Sequence, residues 1–188
     1  MASRRAFVLG ALALAAAPAA GEDAPWARLR RGGLVVLMRH ASTEPGLGDP
    51  PGYRLDDCAT QRNLSEAGRA EARRVGERFR AERVPVAQVY TSPWCRCRET
   101  AMLAFGRADD WEPLSSFFDL PDREAGYVEQ VRKRIARLAR GGREGNVVMV
   151  THNVNIAALT KLSVATSELV AVRADGCCNV RTVARFRV

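Results

Sequence analysis

With 188 residues the chain can build one full-sized core, since single cores form easily above ~100 residues and divide only beyond ~250, so no second domain is required. Lysine and arginine total 29 against 21 acidic residues, a net charge of +8, and Lys133 and Lys161 are the only lysines. Such a field attracts phosphorylated or acidic substrates. It does not read as a nucleic-acid surface, because Arg69, Arg73, Arg74, Arg78 and Arg80 alternate with Glu66, Glu71, Glu77 and Glu82 without interleaved aromatics to stack bases.

The first segment has the form of an export signal. Arg4 and Arg5 precede Phe7, an apolar stretch follows over residues 8–17, and small residues surround Pro18, Ala19 and Ala20. It is too short and alanine-rich for a spanning helix. The paired arginines resemble a twin-arginine signal, and a general secretory signal beginning with two arginines, or a retained anchor, is the alternative. Either route carries the mature protein out of the cytoplasm, to the periplasm or beyond. Residues 1–20 are therefore expected to be removed, which lowers the charge from +8 to +6 with the loss of Arg4 and Arg5 and leaves one domain over residues 24–188, with no membrane span.

Residues 25–31 then predict a short amphipathic helix stopped by Gly32 and Gly33, followed by a buried strand over 34–39. Residues 41–63 lack periodicity and contain Pro45, Gly46, Gly48, Pro50, Pro51 and Gly52, which predicts a functional rim loop. Ser65 is placed to cap a helix running to about Arg83, with Ala67, Ala70, Ala72, Val75 and Phe79 on its apolar stripe. A strand over 84–91 leads to a helix that starts at Ser92 and Pro93 and ends before Gly106. A weaker third strand is expected over 113–118, then an acidic turn over 119–124, a helix over 125–140 stopped by Gly141 and Gly142, and a strand over 146–151. A helix over 153–162 and strands over 169–173 and 180–186 close the chain. The alternation predicts an α/β fold, a three-layer sandwich with a mostly parallel central sheet flanked by helices.

The chain has two histidines, and both end an apolar run: LVVLMRH closes on His40 and NVVMVTH on His152. Ligands of open α/β sheets bind at the C-terminal ends of the strands. Arg39 beside His40, and Arg96 shortly after Ser92 and Pro93, lie at comparable strand-to-helix transitions. Arginine forks and helix N-termini match phosphate oxygens. A neutral imidazole in such a pocket can attack phosphorus directly, and losing one donor to the equatorial oxygens typically costs ~3 kcal/mol of barrier.

Cys58, Cys95, Cys97, Cys177 and Cys178 leave the disulfide pairing open, although an exported chain permits disulfides. Cys95 and Cys97 lack the spacing of a zinc knuckle and neither histidine has a ligand partner at helical spacing, so no metal site is read. Neither G-x-G-x-x-G nor G-x-x-x-x-G-K occurs, so no nucleotide cofactor is called for.

The segments LVVLMRHAST, QRNLSEAGRAEA, VYTSPWCRCRETA and VVMVTHNVNI resemble, in order, the motifs of the histidine phosphatase superfamily, with its phosphoglycerate-mutase-like fold, over about residues 33–162. The resemblance implies that His40 forms a phosphohistidine intermediate while Arg39, Arg96 and His152 bind the transferring phosphoryl group. Ala41 stands where many members carry glycine. Some members place the proton donor in a segment after the second strand and others directly after the second histidine, where this chain has Asn153, which cannot donate as an acid. Asp119 is therefore the candidate acid, with Asp122 and Glu124 as substitutes and a helix-capping acidic turn as its alternative role. Arg62, in the stretch resembling R-x-L-[ST]-x-x-G, is a candidate substrate contact at the rim, or else a surface ion pair with Asp56 or Asp57. The short stretch between Phe105 and Ala125 is more compact than the additions the resemblance would imply for mutases, which favours a phosphomonoesterase acting on a small phosphorylated substrate or a phosphoprotein. A phosphomutase, or a phosphate- or phosphosugar-binding protein lacking a competent acid, is the alternative.

Overall fold

Glycines punctuate the chain where the strands must begin. The computed structural model describes residues 23–141, 144–176 and 179–188; the expected signal segment, Gly142 and the cysteines at 177 and 178 lie outside these. Helix α1 (Asp23–Arg30) ends before Gly32 and Gly33, whose φ angles of 71° and 75° turn the chain into β1 (Val35–Arg39). The order continues with α2 (Glu66–Ala81), β2 (Val86–Thr91), α3 (Cys95–Phe105), β3 (Asp109–Asp110), α4 (Glu124–Arg140), β4 (Asn146–Thr151), α5 (Asn153–Thr160), β5 (Leu169–Asp175) and β6 (Asn179–Phe186).

One six-stranded sheet has the order β3-β2-β4-β1-β5-β6. β1 is parallel to β4, β4 to β2 and β2 to β3, whereas β5 is antiparallel to both β1 and β6. The sheet is thus mixed, and β5 alone runs against the others. The continuous apolar runs are explained by burial on both faces. In β1, Val36 and Met38 join Trp26 and Leu29 of α1, Val75 and Phe79 of α2 and Ala101 of α3 on one side. Val35 and Leu37 point the other way, with Val131 and Ile135 of α4 and Ile156 of α5. These are the three layers expected from the alternation of elements. Among the described residues no helix is long and apolar enough to cross a membrane.

Two expectations are corrected. Residues 113–118 form no strand: Pro113 has no N–H for a ladder, and a 3-10 turn spans Glu112–Leu114. The Leu114 and Ser115 carbonyls accept instead from Thr151 Oγ1 (2.6 Å) and Asn155 Nδ2 (2.9 Å), which draws the segment across the end of β4. The edge strand is the acidic pair in β3, aligned with Tyr90 and Thr91. Helix α3 starts at Cys95 rather than at Pro93, because Trp94 holds an extended N-cap conformation and Ser92 Oγ is engaged with His152 Nε2 at 2.8 Å.

Ser65 caps α2 as expected, its side chain accepting from the Gly68 amide at 3.1 Å. Gly68 is obligatory for a different reason. A Cβ there would lie 1.8 Å from the Ser42 carbonyl oxygen, so α2 can approach the end of β1 only through a residue with no side chain. The same holds at Gly76, where a Cβ would meet the Ala104 carbonyl at 2.1 Å. Gly68 thus lets α2 approach the strand end that carries His40, and Gly76 lets it pack against α3.

Candidate active site

β1 and β4 are neighbours in register, with Arg39 opposite Thr151, so the residues that follow each strand, His40 and His152, stand side by side with ring centroids 5.3 Å apart. Both are buried. The His40 amide donates to the Thr151 carbonyl at 2.9 Å and the Ala41 amide to Thr100 Oγ1 at 3.1 Å, which pins this turn to β4 and α3. His40 Nδ1 lies 2.9 Å from the Ala41 carbonyl. A carbonyl only accepts, so neutral His40 is assigned its proton on Nδ1, leaving the Nε2 lone pair free. Burial, then the charge of Arg96, push the His40 pKa down to about 3, which keeps the ring neutral at physiological pH.

His152 is likewise held well below its usual range, by burial first and then by His40, Arg96, Arg39 and Arg62. Its Nε2 meets Ser92 Oγ at 2.8 Å and Cys97 Sγ at 3.6 Å. Burial pushes the Cys97 thiol up to about 12, so it stays protonated. With a hydroxyl and a thiol facing Nε2, the ring proton is assigned to Nδ1, the tautomer that donates to an acceptor.

Arg39, His40, Arg62, Arg96, Asp119 and His152 all line one cavity of ≈ 230 Å³, together with Asp49, Trp94 and the N-terminal residues Asn153 and Val154 of α5. The six candidates read from the sequence therefore converge. Asp122 and Glu124 do not line it, and Asp119 caps neither the adjoining 3-10 turn nor α4. Arg62 forms no pair with Asp56 or Asp57, which both meet Arg54; its Nη1 donates to the Gly46 carbonyl at 2.6 Å. Arg39 Nη1 donates to the Val164 carbonyl at 2.8 Å. The Nε atoms of Arg39, Arg62 and Arg96 are buried and have no hydrogen-bond partner among the described residues. Three arginines thus converge on one cavity, with burial, then Arg62 and Arg96, lowering the pKa of Arg39. An oxyanion would offset the crowded charge.

Asp49 is a residue that the sequence reading missed. Its side chain and that of Arg96 are 4% and 5% exposed, paired at 2.7 Å. Asp49 also accepts from the Arg62 amide (2.9 Å) and from Trp94 Nε1 (3.0 Å). Burial raises its pKa, but the Arg96 hydrogen bond, the Arg62 amide, the Arg96 charge and the Trp94 indole together hold it below the usual carboxylate range. Ionised Asp49 fixes Arg96 and is unsuited to act as an acid. The rim loop is fastened again where Cys58 bonds Cys95 at the start of α3 and Gln61 Oε1 accepts from the Cys95 amide at 3.0 Å. Neither partner was readable from spacing: Asp49 lies 47 residues from Arg96 and Cys58 lies 37 from Cys95. An acidic residue isolated in a Gly/Pro-rich loop was the only local hint. Among the described residues no group of three or more His, Cys, Asp or Glu side chains is arranged to hold a metal ion.

The model of the histidine phosphatase superfamily (branch 1) matches residues 35–130, and the chain belongs to that superfamily, whose members are phosphatases or mutases. A 2,3-bisphosphoglycerate-dependent phosphoglycerate mutase of Corynebacterium diphtheriae is 33% identical over 102 residues, 54% of this chain; the match spans only 39% of that mutase. Among solved structures, the protein histidine phosphatase SixA complexed with tungstate is similar with a TM-score of 0.58 at 19% identity, over 82% of this chain and 96% of that one. The phosphoserine phosphatase of Entamoeba histolytica, in complex with 3-phosphoglyceric acid, gives 0.57 at 13% identity over 82% and 97%. At these identities the structural likeness concerns the fold: an α/β architecture with a six-stranded mixed sheet between helices.

Proposed function

We propose that the chain is an exported phosphomonoesterase that hydrolyses phosphate esters through a phosphohistidine at His40. The observation that carries this reading is the convergence of Arg39, Arg62 and Arg96 on the cavity lined by neutral His40 and His152. In the first step the His40 Nε2 lone pair forms the N–P bond as the P–O bond to the leaving group breaks. Arg39, Arg62, Arg96 and Nδ1 of His152 stabilise the equatorial oxygens, and the N-terminus of α5 adds partial positive charge. Asp119, at the mouth, gives its proton to the departing oxygen. In the second step water attacks phosphorus, the N–P bond breaks, Asp119 takes the proton, and His40 returns to its neutral form with release of inorganic phosphate. Export is supported by the paired arginines and apolar run over residues 4–17 and by the Cys58–Cys95 disulfide, which suits an oxidising compartment.

The test is phosphate release from a panel of phosphosugars, nucleotides, alkyl phosphates and phosphopeptides with EDTA present, using protein recovered from the exported fraction. Turnover unaffected by EDTA is expected. Saturable binding of a phosphosugar without release of phosphate would instead identify a binding protein, and phosphate appearing on an added hydroxyl acceptor rather than in solution would identify a mutase.

A further inference from the structure

The cavity changes character from floor to mouth. Its floor is cationic, whereas its mouth carries Leu47 from the rim loop and Phe118 from the segment before α4, which are 87% and 54% exposed. Large apolar side chains are costly to leave in water and mark binding surfaces when they border a cleft. Leu47 lies between Gly46 and Gly48, whose φ angles are 140° and 70°, and two residues before Asp49, which is paired with Arg96. Phe118 reaches the same mouth because the segment before it is tied to β4 and α5 through the Leu114 and Ser115 carbonyls. Val154 of α5 and the buried Trp94 add to the apolar part of the lining.

Resting on the reading of the site as a phosphomonoesterase, we infer that its substrate is a phosphate monoester whose leaving group has an apolar body, alkyl or aryl, rather than a polyol or sugar. The single dianionic phosphoryl group is matched by the three arginines, and the carbon skeleton next to the ester oxygen is matched by Leu47 and Phe118. A polyhydroxylated leaving group that set its hydroxyls against these two side chains would lose water contacts there, which an alkyl or aryl body would not.

Binding tests this independently of turnover. Calorimetric titration of the full mature protein with ethyl-, butyl- and hexylphosphonate, which cannot be hydrolysed, should show affinity rising about two- to fourfold per methylene, and 2,3-dihydroxypropylphosphonate should bind more weakly than butylphosphonate. In Leu47→Ser and Phe118→Ser the hexyl-to-ethyl affinity ratio should fall toward one, a comparison made within each variant and therefore insensitive to overall loss of affinity. Affinity independent of chain length, or a preference for the diol, would overturn the inference even if the protein hydrolyses phosphate esters. Chain-length-dependent binding without hydrolysis would uphold it and refute only the catalytic reading; no binding by any phosphonate would overturn both.

Discussion

Burial, and behind it the charge of Arg96, hold the imidazole of His40 down to about 3 against an ordinary value of 6.5. The unfolded imidazole takes up its proton near pH 6.5, so between these limits the unfolded chain binds more protons than the folded one. The stability associated with neutral His40 is therefore complete above pH 6.5 and is lost as the pH falls toward 3. Because the chain has only two histidines, an imidazole NMR titration can follow each. The His40 signals should keep the neutral, Nδ1-protonated pattern from about pH 8 to about pH 4; a midpoint near the ordinary histidine value would contradict the geometry. At this scale the sequence was most informative where a residue's place follows from a strand. Arg39, His40 and His152 end apolar runs, and their meeting follows from two strands lying side by side. Asp49 could not be found in that way, since it acts through the irregular path of a loop and its partner Arg96 is distant in sequence.

The rim loop and α3 form a unit whose stability is covalent as well as electrostatic. The Cys58–Cys95 bond closes a stretch of 37 residues, and cross-linking a loop of that length removes about 3–4 kcal/mol of unfolded-state entropy on the chain-entropy account. Urea unfolding of Cys58→Ser/Cys95→Ser should show a loss of about that size, and added reductant should lower the wild type to the same midpoint while leaving the variant unmoved. An unchanged wild-type midpoint under reductant would show that the bond does not form. Helices and buried strands were legible to within a few residues because burial imposes a period on them: β1, α2, α4 and β4 fall within the expected spans or differ at their ends. The third strand was misplaced because Phe117 and Leu114 are apolar for another reason. They are buried beneath a turn whose carbonyls serve side chains of β4 and α5. The two-residue β3 has no apolar signal at all, being a pair of exposed aspartates.

Across the whole molecule, charge and topology act on the same end of the sheet. The net charge of +8, or +6 once residues 1–20 are removed, gathers anions over distances set by the Debye length, which shrinks from about 30 Å at 0.01 M salt to about 10 Å at 0.1 M. Turnover of a dianionic ester should accordingly lose several-fold in kcat/KM over that range with kcat nearly constant; a kcat/KM independent of salt would mean that the field plays no part in capture. The three-layer arrangement was readable from the alternation of elements, whereas the reversed direction of β5 was not, because a strand's polarity in a sheet depends on its neighbour and not on its own residues. The central claim concerns one bond, between phosphorus and Nε2 of His40. Rapid quench of the protein with a phosphate ester carrying labelled phosphorus should trap a label that survives alkali and is lost in acid, that maps to the peptide containing His40, and that is absent from His40→Ala together with turnover. A His40→Ala protein that hydrolyses the ester at the wild-type rate, or a wild-type label stable to acid and lost in alkali, would contradict the account.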